Sequence, residues 1–526
     1  MLNHNNIKSI KNKVTFIFAD GQTLIIDNRN IDIQNATNII SNVSLKEGAV
    51  KLGSQNLLGQ FGSNTLNINI NSFDKSLIQD NDESPYYGYM NETCRIDLYS
   101  YCDELETSDS EYEVYMGRYY ITSWESSASS KDTTTVTLVA VNLASKIGSL
   151  AVNELFMHRN ISFKTFIINV IDYINNSLNV NLSYNASELD ILDGILNTWK
   201  IDYRQLNSTS IATMFNDIIN NTMCIIFIDR NETLRVKKVF NNSDTLQCVL
   251  SGSNQLFSYN KINGSFCNYS SVNIKYIENQ YVTNEQLGSY NKYQPTKAGN
   301  KISISHNKNI VGINDIEVVN NNKELNNVVN IDITDLKYNN NNIILEFGVD
   351  KLQDIDITVY GQVLNNNYNS IKRNIHSGSA NNVYELENKI LSKTNINEYA
   401  DNVKQFIELG NNIIQVEGYI NPGLRLGDVV SILGTKLNID GLYMIISSDY
   451  KLVTNYRNTI QLIRVNDAEL NADVILNNNM TLFESSENGY IIDTNNIDNY
   501  SSDINDVVVD KYGTLFENLE DCLDGH

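Results

Sequence analysis

Residues 415–432 read QVEGYINPGLRLGDVVSI. Apolar residues run at strand length on both sides of two corners. The first corner is Asn421-Pro422-Gly423, where Pro presets its own φ and Gly tolerates a positive one. The second is Arg425-Leu426-Gly427-Asp428. Two more strand-length runs follow, Tyr443 to Leu452 inside GLYMIISSDYKL (441–452) and Thr459 to Val465 inside RNTIQLIRV (457–465). Upstream, Ile396, Tyr399, Ala400, Val403, Phe406 and Ile407 recur at helical spacing. Asn395 with Glu398 three residues on gives a capping-box-like start, and Gly410 gives a stop. One helix and four short strands, Ile413 to Ile420 being the first, predict a compact α+β or small barrel domain over residues 391–466.

Working outward, residues 1–150 read as β-rich. Val14 to Phe18, Gln22 to Ile26, Leu66 to Ile70 and Arg95 to Tyr99 have strand length and pattern. EVYMGRYYITSW (113–124) is a longer strand with a bend expected at Gly117, and DTTTVTLVAV (132–141) is its expected partner. A short helix is expected over 142–147. Residues 151–240 are mixed. Phe163, Phe166, Ile167, Val170, Ile171 and Ile174 make a helix face behind Ser162 as N-cap. Val180 to Tyr184 reads as a strand, and Ile211, Phe215, Ile218 and Ile219 make a second helix. MCIIFID (223–229) and LRVKKV (234–239) then predict a hairpin around Asp229-Arg230-Asn231-Glu232. Residues 241–390 return to a β pattern at 272–277, 302–305, 343–349 and 355–363. Residues 467–526 are an acidic, Asn-rich extension that packs on a neighbour or stays loose.

The chain has 526 residues, too many for one ordinary core, so about three to four domains are expected. Asn makes up about one residue in six, with runs such as 365–367 and 320–322. These runs are short and lie between β-like segments, which suits codon bias better than a prion-like tract. With only three prolines, turns must rely on Gly, Asn and Asp. Lys and Arg number 39 against 62 Asp and Glu, a net charge of −23. That excludes the basic footprint needed to grip phosphate, but suits a wall past which DNA slides. The six cysteines form no CxxC pair and read as reduced, mostly buried thiols. Met1 to Lys13 has no apolar core of a signal peptide, and no stretch approaches the ~20 apolar residues of a membrane span.

Chemistry-bearing patterns are scarce. The histidines, His4, His158, His306, His376 and His526, are isolated, with no HExxH or HxH spacing. Asp80-Asn81-Asp82-Glu83 lacks the glycine and terminal Glu of a calcium loop and reads as a solvated loop. Cys224 sits in the apolar run 223–228, where packing outranks reactivity. Neither GxSxG nor GxxxxGK[ST] occurs. Glu111 and Glu113 share a strand face, for which solvent is sufficient reason. No catalytic residue, metal or cofactor is therefore expected. Tyr86, Tyr87 and Tyr89 form the one cluster with a sharper reading, because Tyr buries area while keeping a hydroxyl partner. They are the candidate intersubunit contact.

Pro422, Leu424, Leu426, Gly427, Asp428, Val429 and Val430, followed by Tyr443 and Ile445, resemble the last domain of bacteriophage tail baseplate hub or tail-tip proteins. MGRYYITSW (116–124), a Ser-rich turn and TVTLVAVNLASKIG (135–148) are similar to the first hub domain, and the helix-hairpin at 208–239 to its small inserted domain. The resemblance implies a multi-domain β-rich chain. Its parts would be tube-type β-barrel or sandwich domains at 1–150 and 241–390, a helix-hairpin domain at 151–240 and the α+β domain at 391–466. It also implies a non-enzymatic homotrimer in the virion tail, assembled in the host cytoplasm. Such a ring would contact a tail tube or distal tail protein on one side and a spike, fibre or lytic tip protein on the other, with DNA only in transit. A tail-associated cell-wall hydrolase would need the missing catalytic constellation, and a carbohydrate-binding adhesin would carry tandem repeats and a secretion signal.

Overall fold

Thr65–Ser72 alternates half-buried and buried residues along its whole length in the computed structural model of the chain. This period-two pattern is what a strand with one face on a core must have. The structure describes residues 7–30, 37–51, 58–91, 93–104, 111–128, 134–152, 156–193, 200–206, 209–239, 246–251, 256–262, 269–293, 299–308, 310–320, 333–338, 342–347, 355–375, 382–388, 391, 395–408, 413–418, 422–433, 439–452, 458–466, 481–485, 489–493, 508–509 and 515–516. The expected helix stop at Gly410 and the turn residue Asn421 lie outside them.

The chain is β-rich with several sheets and a minority of helix. The principal elements of the first half are β1 (Ile7–Ile17), β2 (Thr23–Asp27), β3 (Asn38–Gly48), β4 (Thr65–Ser72), β5 (Arg95–Glu104), β6 (Glu111–Ala128), β7 (Thr134–Val141), α1 (Leu143–Ser149), α2 (Phe163–Leu178), α3 (Ala186–Leu189), α4 (Ile211–Thr222), β8 (Cys224–Ile228) and β9 (Thr233–Lys238). Next come β10 (Leu246–Ser251), β11 (Leu256–Lys261), β12 (Ser271–Tyr293), β13 (Asn300–Ser305), β14 (Ile310–Asn320), β15 (Ile333–Tyr338), β16 (Asn342–Phe347), β17 (Ile355–Asn374) and β18 (Val383–Asn388). The last are α5 (Ile396–Glu408), β19 (Ile413–Gly418), β20 (Val429–Leu433), β21 (Gly441–Lys451) and β22 (Asn458–Asn466).

The first unit is an antiparallel run in the order β2-β1-β5-β6-β7-β4-β3. Val14, Phe16, Val43, Ile68, Leu98, Trp124 and Leu138, drawn from six of these strands, meet in one core. The run rolls up until its end strands approach. There Asn28, just past β2, donates to the Ile40 carbonyl on β3 at 2.8 Å and accepts from the Ile40 amide at 3.2 Å. The bend expected at Gly117 is present: φ is +118°, and the β5–β6 register slips beside it, with Leu98 facing Gly117 and Tyr99 facing Tyr115.

The second unit draws its strands from two distant parts of the chain. β11 pairs with β19, β19 with β22, β22 with β21, β21 with β20, and β20 in parallel with β10. The α+β domain expected at 391–466 is thus hydrogen-bonded to strands from 246–261, and residues 271–388 lie between as an insertion. β21 also belongs to the first unit. Its start pairs with β20 (Met444 opposite Val429), whereas its end pairs with β3 (Ser447 opposite Gly48, Lys451 opposite Ser44). The two units therefore form one thirteen-stranded sheet.

The helix-hairpin unit shares one core with the second unit, Phe163, Phe215 and Phe227 packing with Val416, Val430 and Ile445. Ser162 caps α2 by accepting from the Thr165 amide at 3.1 Å, as its position before an apolar period predicts. Phe163, Phe166, Ile167, Val170, Ile171 and Ile174 are buried. The second helix, α4, is capped in the same way by Ser210. The strand expected at 180–184 shrinks to Ser183–Tyr184. Residues 180–182 follow the left-handed Asn179 that ends α2, and the amides of Val180 and Leu182 turn back onto Asn175 instead of entering a ladder.

Candidate functional site

The hairpin turn at 229–232 carries a buried polar cluster. The Asp229 side chain accepts from the amides of Asn231 and Thr233 at 2.9 and 3.0 Å, and Glu232 takes a positive φ of +57°. This tight turn drives Arg230 into the interior, where its side chain is 4% exposed against 1% for Glu47. Arg230 Nε and Nη2 donate to the two Glu47 oxygens at 2.7 and 2.8 Å, a planar fork on a carboxylate. Nη1 donates to the Pro422 carbonyl at 2.7 Å, and Nη2 also reaches the Leu424 carbonyl at 3.1 Å. The Tyr450 hydroxyl donates to Leu424 at 3.1 Å and lies 3.3 Å from Nη2. Burial pushes the Tyr450 phenol up to about 12, so it stays a neutral donor. One guanidinium thus ties β3, the 422–424 corner and β21 to the helix-hairpin unit.

Two further contacts join the same parts. Tyr120 on β6 donates to Glu232 at 2.9 Å, and Tyr399 on α5 donates to the Asn220 carbonyl at 2.6 Å. Inside the hairpin unit, Glu188 on α3 receives Arg235 and the Val236 amide, with Lys237 at 3.6 Å. Burial alone would raise its pKa. The Arg235 hydrogen bonds and the two cations outweigh that and hold the carboxyl below its ordinary value.

The Arg425–Asp428 corner packs on this hairpin. Asp428 accepts from the Arg425 amide at 2.7 Å, and Gly427 has a φ of +84°. A Cβ on Gly427 would stand 2.8 Å from Phe227 Cζ. Both the backbone sign and the ring behind it require glycine. Burial pushes the Asp428 carboxyl up.

The tyrosine loop divides. Tyr86 stacks on Phe18 with centroids 5.0 Å apart and Tyr89 tilts against the same ring at 6.5 Å, so both pack on the first core. Tyr87 is 53% exposed and stands outward. Beside the loop, Leu24, Asn38, Asp74, Glu83 and Tyr86 line a shallow cavity of about 300 Å³. Of the Asp80–Glu83 stretch only Asn81 and Glu83 reach it. Among the described residues no three His, Cys, Asp or Glu side chains converge as a metal site would require. No described helix is long and apolar enough to cross a membrane. Cys94 and Cys224 are free, buried thiols that burial pushes up to about 12 and about 11, the reverse of what a nucleophile needs. The side chains of Cys102, Cys248, Cys267 and Cys522 lie outside the described ones.

The hairpin and the 422–428 corner are legible in the sequence, but the buried ion pair that joins them is not. Its one signal was an arginine in the turn of a strongly apolar hairpin; the partner Glu47 lies 183 residues away.

No family model and no curated protein matches the sequence. Among solved structures, the chain is similar to the 43 kDa tail protein of prophage MuSo2 from Shewanella oneidensis, at 8% identity, with 86% of this chain and 98% of that one covered and a TM-score of 0.46. It is similar to the tail protein from Neisseria meningitidis MC58, at 7% identity, 86% and 96% coverage and a TM-score of 0.44. A third is prophage tail protein gp18 from Listeria monocytogenes EGD-e, at 8% identity, 87% and 95% coverage and a TM-score of 0.42. The chain is similar in structure to prophage tail proteins, the class that its sequence motifs resemble.

Proposed function

We propose that this chain is a non-enzymatic structural subunit of a phage-type tail hub. Three copies close a ring that joins a tail tube or distal tail protein to a spike, fibre or lytic tip protein, and DNA passes through without being held. The observation that carries this reading is the β3–β21 joint, which sets two β-units edge to edge within one chain. A ring of β-units needs such a joint at every boundary. The chain supplies one internally, and three chains supply six units. At the far side of the second unit, β10 and β11 are each paired along one edge only among the described strands. Unpaired edges call for a neighbour. The net charge of −23 supports a passage that repels phosphate. The exposed Tyr87 is the candidate contact between copies, with Tyr86 and Tyr89 holding its loop in place.

Mass measurement and particle imaging of the purified chain test the reading. The expected result is a three-fold ring with a central opening and about three times the 59.5 kDa chain mass. A monomer that hydrolyses peptidoglycan, with turnover abolished by a single substitution, would overturn it in favour of a hydrolase.

A further inference from the structure

The insertion at 271–388 has two ends with different cores. At its base, Val272, Ile274 and Tyr276 of β12 and Ile375 join the central core beside α5. Arg373 donates to Asp401 and Asn397 on α5 at 2.6 and 2.8 Å, which fixes the root of β17 to the body. At the far end, Leu287, Ile304, Ile310, Phe347, Ile357 and Val359 form a core of their own, whose described residues all belong to the insertion. Two sheets enclose it, one from the far parts of β14, β17 and β12 and the other in the order β13-β16-β15, while β18 joins β12 only at the base.

Between the two cores, the described residues narrow to two paired strands. The pairing of β18 with β12 stops at Tyr276, opposite Asn388. The pairing of β14 with β17 starts at Ile310, opposite Val363. In the gap, Ile277 faces Tyr368, Glu278 faces Asn367, Asn279 faces Asn366 and Gln280 faces Asn365. This stretch spans about 13 Å at ~3.3 Å per residue. Successive residues of a strand point to opposite faces, and within the gap Asn365 and Asn367 on one face and Tyr368 on the other are exposed, Tyr368 at 68%. Both faces of the ribbon therefore meet solvent. The run Asn365–Asn367, which the sequence marks out, supplies residues with low strand preference. Just above it the register slips between Val282 and Glu285, with Asn284 at a φ of +59°. A two-stranded ribbon with no core on either face is marginal in water and bends and twists readily.

We propose that residues 282–363 form a separately cored arm that swings on this two-stranded stalk, with the register slip at 282–285 as the upper hinge. The arm keeps its own shape while its orientation to the body varies. This inference stands on the stalk geometry and does not depend on the tail-hub reading.

The test is pulsed electron spin resonance on the full chain, with nitroxide-bearing residues placed by codon suppression at exposed sites so that native cysteines stay untouched. Gln405 on α5 and Lys301 on the arm form the cross-stalk pair; Lys301 with Lys337 is the control inside the arm, and Lys46 with Gln405 the control inside the body. The cross-stalk distance distribution should be at least about twofold wider than both controls. A cross-stalk width equal to that of the controls overturns the proposal, and so does an in-arm control as wide as the cross-stalk pair, which would mean that the arm has no shape of its own.

Discussion

Replacing Arg230 by Met removes the guanidinium and leaves the Glu47 carboxylate, 1% exposed, without its fork. The Pro422 carbonyl loses its donor at 2.7 Å, while Leu424 keeps the Tyr450 hydroxyl at 3.1 Å. Breaking one side of a buried pair costs about 3–5 kcal/mol, because an uncompensated charge remains in low dielectric. Arg230→Lys keeps the charge but cannot present two parallel donors, so it should recover only part of that loss. The informative variant is the double substitution Arg230→Met with Glu47→Leu. It removes both charges, and such replacements are often neutral or stabilising by about 1–4 kcal/mol. Urea titration read by Trp124 fluorescence in a Trp199→Phe background reports on the first core directly, since the Trp124 ring lies 5.8 Å from Phe16. With Glu47→Leu alone completing the cycle, the coupling between the two sites should be about 2 kcal/mol or more. If the single Met variant unfolds at the parent midpoint, or the double is no more stable than the single, Arg230 is not what ties the units together.

Gly427→Ala should destabilise by about 2–4 kcal/mol, combining a left-handed φ with overpacking against Phe227; a midpoint shift equivalent to under ~0.5 kcal/mol would contradict this. Glu188 sits below its ordinary pKa in the folded chain. The unfolded chain therefore takes up that proton first, and stability falls as pH drops through about 4.3 and below. Glu188→Gln should flatten this acid limb of the urea midpoint, and an unchanged slope would remove the clamp from the account. Tyr86→Ala should cost about 2 kcal/mol or more through its lost stack on Phe18, whereas Tyr87→Ser should leave stability within ~0.5 kcal/mol and weaken assembly, as read by particle mass. Cys94 and Cys224 should resist a thiol reagent at pH 8 in the native chain and react in denaturant, with site-resolved mass spectrometry as readout; modification of either at the rate of a free thiol would mean that its burial is wrong.

What the sequence made legible was local. Ser162 announced its helix because a cap and an apolar period are both written within a few residues, whereas only the apolar period marked the helix that Ser210 caps. The bend at Gly117 and the corner at Gly427 were legible because glycine, lacking a Cβ, takes a positive φ without strain. Pairings between distant segments left no such mark. Leu256–Lys261 has its ladder partner in Ile413–Gly418, and nothing in the alternation of either strand names the other. Periodicity also gave no warning that Val272–Ile277 and Ile355–Val363 are parts of strands that extend from one core into another. The Tyr86–Tyr89 loop offered three equal aromatic rings; only Phe18 beneath it decides which two turn inward.

β21 shares its length between both β-units, and this has a mechanical consequence. A pull that separates the units along the strand direction strains the Ser44–Gly48 ladder sideways, so its bonds resist together instead of peeling one after another from a hairpin end. Arg230 sits where such a slip would have to begin, beside Glu47 in the same ladder. Rupture under tension, which is governed by the unfolding barrier and not by the equilibrium free energy, should therefore start at the stalk or the loops and spare this seam.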